Sequence, residues 1–138
     1  SLVKLLSCRL AMAVVACRPP VGTVLVPVPS QPAAVRRRGI DHTWMLARQV
    51  SRALGIETAR LLRRLNGGDA QRFQGRAGRE RLSESRFLGT ACRSPVIIID
   101  DVVTTGTSLT VSCEAMRHGG AMVIAAAVIG DANLIGKY

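Results

Sequence analysis

The sequence predicts an α/β domain with a mostly parallel central sheet flanked by helices. Two observations carry that expectation. Short unbroken apolar runs, TVLVPVP at 23–29, VIIID at 96–100 and AMVIAAAVIG at 121–130, have the length and branched side chains of strands buried on both faces. Segments with helical spacing stand between them, so the order reads helix, strand, helix, strand, loop, strand, helix, strand. At 138 residues, 48% of them hydrophobic, the chain is long and apolar enough for one domain with a real core.

Leu2, Leu5, Leu6, Leu10, Ala13, Val14 and Cys17 recur at helical intervals, and Pro19 and Pro20 stop the first helix by Arg18. Lys4 and Arg9 interrupt this stretch, which separates it from a signal peptide. No run reaches the ~18 apolar residues of a membrane span. The first strand ends among Pro27 to Pro29, and residues 30–40, SQPAAVRRRGI, read as a basic loop. Asp41 is a natural N-cap for a helix through Leu54, closed by Gly55, with Trp44, Ala47, Val50 and Leu54 on its core face. A short strand is expected around Thr58 to Leu65, with Arg63 and Arg64 turned outward. Residues 66–86 carry four glycines and five arginines with little periodicity, and read as a long mobile loop, of the kind that in compact domains is usually functional or disordered. A helix at 107–118 ends at Gly119-Gly120 and leads into the last strand.

Charge narrows the partners. Nineteen Lys and Arg, seventeen of them Arg, stand against nine Asp and Glu, for a net +10. Arginine presents a planar fork suited to phosphate and carboxylate, so an anionic partner is expected. Aromatics are 3% of the chain, too few for the stacking platforms of a single-strand nucleic-acid binder, which leaves nucleic acid a secondary partner. Cys8, Cys17, Cys92 and Cys113 form no C-x-x-C pair and read as reduced thiols in the core of a cytoplasmic protein, without a zinc site. His42 and His118 read as surface or capping residues, and Trp44 as core.

The stretch VIIIDDVVTTGTS, 96–108, carries the chemistry. Asp100 and Asp101 follow a buried strand, at the sheet edge where open α/β sheets bind ligands. Thr104, Thr105, Gly106, Thr107 and Ser108 then offer backbone amides, hydroxyls and a helix N-terminus, which together make a phosphate cradle. Two carboxylates beside it suit sugar hydroxyls. A ligand with a phosphate at one end and a diol nearby, a ribose 5-phosphate, satisfies both. An Asp-Asp pair alone is an ordinary cap and its solvated neighbour; the thirteen residues in this order point to the ligand. Neither G-x-G-x-x-G nor GxxxxGK[ST] occurs, which sets dinucleotide and P-loop folds aside.

These thirteen residues resemble the PRPP-binding motif of type I phosphoribosyltransferases. VPVPSQPAAVRRRGIDHTWMLARQVSRALGI, 26–56, is similar to the ComF-like branch, with its VPVP strand, basic loop with an RG pair and Leu-Gly helix end. Where that branch carries an aromatic and Asn-Gln after the RG pair, this chain has Ile40, Asp41 and His42. Full-length relatives often begin with a cysteine-rich zinc-binding segment, so a further segment is expected before Ser1. The resemblance implies a Rossmann-like phosphoribosyltransferase fold over 1–138. It implies PRPP with its 5-phosphate on Thr104 to Ser108 and its ribose hydroxyls on Asp100 and Asp101. Pyrophosphate would be held by Ser30, Gln31, Arg36, Arg37, Arg38, Arg79 and Arg81. Mg2+ would be bound mainly through PRPP, with Asp100 and Asp101 reaching it through water. The leading expectation is phosphoribosyl transfer to an unidentified acceptor. A non-catalytic PRPP or nucleotide-binding module and a competence-related, DNA-associated protein are the alternatives, and a homodimer is compatible with all three.

Overall fold

The computed structural model of the chain describes residues 1–65, 87–101 and 107–130. Its main sheet has the order β2-β1-β5-β6, with β1 at Val24–Pro27, β2 at Glu57–Thr58, β5 at Pro95–Asp100 and β6 at Met122–Val128. All three pairings are parallel. A second, antiparallel pair joins β3, Leu62–Arg64, to β4, Phe87–Gly89. The α/β architecture expected from the apolar runs is therefore present.

Alternation along the strands builds two cores. Val24, Val26, Val96, Ile98, Ala126 and Val128 face helix α4, Thr107–His118, together with β3 and β4. Leu25, Ile97, Ile99, Ala125 and Ala127 face α1, Leu2–Ala16, and α3, His42–Leu54. Ile97, Ile98 and Ile99 are all fully buried, because neighbours on one strand point to opposite, equally covered faces. Each such side chain contributes about 1.5–3 kcal/mol through burial. Between Val96 and Ile97 the β5–β6 register slips by one residue of β6, and Asp100 ends level with Val128.

α3 forms as its sequence signals. Asp41 caps it by accepting from the Trp44 amide, and Gly55 closes it at φ 68°. Its buried residues are Thr43, Leu46, Ala47 and Val50; Trp44 is only half-buried, which corrects the core reading of that ring. In α1 the stripe turned to the core runs through Val3, Leu6, Leu10, Ala13 and Val14 to Cys17. Leu2 and Leu5 lie one residue off that stripe and are exposed, contrary to their expected place on it.

Other expectations need correction. Residues 32–38 form a helix, α2 (Pro32–Arg38), not a loop. Proline at its first position needs no amide partner, alanine and arginine are strong helix formers, and Gly39 at φ 77° ends it. The strand expected over 58–65 is two strands in different sheets, and β4 has no counterpart in the sequence reading. Arg63 is exposed as expected, but Arg64 is half-buried. Gly89 lets β4 lie directly on α4: a Cβ there would meet the Ala115 carbonyl oxygen at 2.5 Å. Cys113 is buried, Cys17 and Cys92 are half-buried, and Cys8 is exposed rather than in the core; all four are free thiols. Among the described residues no helix is long and apolar enough to cross a membrane.

Candidate functional site

The strand order creates a crevice. From β1 the chain crosses to β2 on one side, and from β5 it crosses to β6 on the other. The reversal falls between β1 and β5, and in such sheets ligands sit outside the carboxyl ends at that point. Pro27 pairs with Ile99, and the Val28 amide donates to the Ile99 carbonyl at 2.8 Å. Beyond that bond Pro29 and Ser30 leave β1, while Asp100 ends β5 and Asp101 follows it.

Asp100 is 9% exposed. Burial pushes its carboxyl up to about 7; a hydrogen bond with the Asp101 carboxyl and the charge of Asp101 push the same way. The Asp101 amide, donating to Asp100 Oδ1 at 2.9 Å, and the positive charge of Arg64 pull it back down. Asp101 is half-buried, and its carbonyl accepts from the Ile129 amide at 3.2 Å, which ties the end of β5 to the end of β6.

Arg64, which the sequence places only as an outward-turned strand residue, belongs to this edge. Its Nε donates to the Pro29 carbonyl at 2.9 Å, and its guanidinium lies 4.8 Å from the Phe87 ring centroid. It therefore fastens the small β3–β4 sheet to the turn that follows β1. Nothing in the local pattern of LRRL marks this role, because both partners are distant in sequence. Asp41 was read as a cap alone, but Oδ1 of the same carboxylate also accepts from the Ser30 hydroxyl at 2.8 Å. Ser30 Oγ also lies 3.4 Å from the Thr43 hydroxyl.

The expected site residues are placed as follows. Asp100 ends β5 and Asp101 follows it, and Ser30, in the segment after β1, bonds to Asp41. Gln31 is exposed at the N-cap position of α2. Arg36, Arg37 and Arg38 are exposed in the last turn of α2, about 8–10 Å along the axis from Gln31 at ~1.5 Å per residue. Thr107 and Ser108 open α4, and Ser108 accepts from the Ser112 hydroxyl through its carbonyl at 2.7 Å. Thr104, Thr105, Gly106, Arg79 and Arg81 lie outside the described residues. Among the described residues no three His, Cys, Asp or Glu side chains group as a metal site.

Residues 42–134, well over half of the chain, match the phosphoribosyl transferase domain family. Comparison with curated protein sequences finds no match. The parallel sheet β2-β1-β5-β6 with helices on both faces agrees with that family's architecture. On the family match and the fold together, the chain belongs to the phosphoribosyl transferase domain family.

Proposed function

We propose that this chain binds PRPP with Mg2+ at the crevice between β1 and β5 and transfers the phosphoribosyl group to a nucleophilic acceptor. The observation that carries the reading is the buried Asp100 at the end of β5, beside the switch point of a phosphoribosyl transferase sheet, with Arg64 bonded to the Pro29 carbonyl after β1 and acting by its charge on Asp100. The motif VIIIDDVVTTGTS supplies the rest: the segment 104–108 receives the 5-phosphate, and α4 starts directly behind it. In the reaction the bond from the anomeric carbon to pyrophosphate breaks, a bond to the acceptor forms, and the acceptor gives up a proton.

Asp100 and Asp101 face the ribose hydroxyls in this reading. Burial and the neighbouring Asp101 push the Asp100 carboxyl up to about 7, so it holds its proton well above the ordinary carboxylate range. Ser30, Gln31, Arg36, Arg37, Arg38, Arg79 and Arg81 attend the pyrophosphate. Two adjacent carboxyl groups do not make a closed metal cage, but they fit an ion that keeps waters and substrate oxygens, as Mg2+ does. When bound there, Mg2+ offsets the charge that gathers on the leaving pyrophosphate. The VPVP strand, Arg38-Gly39 and Leu54-Gly55 support placing the chain in the ComF-like branch.

Calorimetric titration of PRPP tests the proposal. Binding is expected only with Mg2+, and Asp100→Asn with Asp101→Asn is expected to weaken it about 100-fold or more, the loss of two charge-assisted contacts. Unchanged affinity in that double variant overturns the assignment.

A further inference from the structure

A second cavity lies away from the strand ends. It holds about 500 Å³ between the end of α2 and the outer face of α3. Trp44, Arg48 and Arg52 line it from positions four residues apart on one stripe of α3, and Arg60 lines it from the segment after β2. Val35, Ile40 and Met45 supply apolar wall. The lining carries three arginines against one carboxylate, Asp41, whose Oδ1 already accepts from Ser30 and from the Trp44 amide. Like charges four apart on a helix repel, so Arg48 and Arg52 gain from an anion between them.

We propose that this cavity is a binding site, separate from the PRPP crevice, for a small ligand carrying adjacent phosphate groups. Three guanidinium forks around one hollow match the oxygens of a polyphosphate, each able to make paired hydrogen bonds. The volume falls in the range of small-molecule pockets, about 300–1,000 Å³, and its apolar walls bound it on the α2 side. A nucleic-acid backbone instead asks for a long open track of cations. The Arg60 guanidinium lies 4.4 Å from the Trp44 ring centroid. An anion that draws Arg60 toward itself changes what covers this ring, and Trp44 is the chain's single tryptophan.

The site can thus be read by intrinsic fluorescence, with inorganic tripolyphosphate as a probe that does not absorb, at constant ionic strength so that screening stays fixed. A saturable change in Trp44 emission is expected. Arg48→Ala and Arg52→Ala should each weaken it about tenfold, the size of one charge-assisted hydrogen bond, while Asp100→Asn with Asp101→Asn leaves it unchanged. The three arginines are exposed, so the variants should keep the wild-type far-ultraviolet circular dichroism. Results of three kinds would overturn the proposal. One is no saturable change, or equal binding by the arginine variants. Another is loss of the signal in the aspartate variant, which would place the probe in the crevice. The third is an oligonucleotide that competes more tightly than tripolyphosphate, with affinity rising with its length. Failure of PRPP to bind leaves this test intact, since the probe and the variants belong to different parts of the molecule.

Discussion

Charge is gathered at two places on this molecule under opposite conditions. At the end of β5, Asp100 is held in an apolar setting, and its carboxyl keeps a proton up to neutral pH. On the outer face of α3, Arg48 and Arg52 stand in the open beside Arg60. Burial makes the first place a titrating group whose state a ligand can change. Exposure leaves the second as fixed positive charge. The two can be told apart by what their substitutions do to stability.

The largest stability effect should come from the apolar frame that holds Asp100 in place. Ile98→Ala, at a fully buried position facing α4, is expected to lower unfolding free energy by about 2–5 kcal/mol in urea denaturation. A loss under about 1 kcal/mol would mean that the end of β5 is not tightly packed, and the elevated carboxyl would lose its cause. Asp100→Asn should act with a pH signature instead. The folded carboxyl titrates near 7 and the unfolded one near ~3.9, so the folded state holds the extra proton between them and wild-type stability falls as pH rises through that window. The asparagine variant does not titrate there. Its advantage should grow from about pH 4, reach up to about 4 kcal/mol by pH 8 and then level off. A difference that does not vary with pH breaks the contrast between buried and exposed charge. Smallest of all should be Arg48→Ala and Arg52→Ala, each within about 0.5 kcal/mol of wild type in the same assay. A loss of 2 kcal/mol would show that these side chains pack as structure and do not wait for an anion.

Long apolar runs made the frame legible before any coordinates: VIIID and AMVIAAAVIG read as buried strands, and the Asp41 cap and Gly55 marked α3. Elements whose stability comes from elsewhere were not legible. β3 and β4 are three residues each, and their pairing joins Leu62 to Gly89 across the whole of 66–86. α2 hid behind an arginine triplet that reads as readily as a solvated loop, although Pro32 and Gly39 bracket it. At the site, the doubled aspartates and their position after β5 were readable, but the partners of Arg64 and the second role of Asp41 depend on which turns the fold brings together. Trp44 was misread because helical spacing marks a stripe, and a stripe next to the buried one has almost the same spacing.

The oxygen Asp41 Oδ1 is a shared hinge pin. It receives the Ser30 hydroxyl from the turn after β1 and the Trp44 amide from the first turn of α3. A guest in the crevice that claims the Ser30 hydroxyl takes it from the atom that seats Trp44. One carboxylate oxygen therefore joins the segment after β1 to the start of α3.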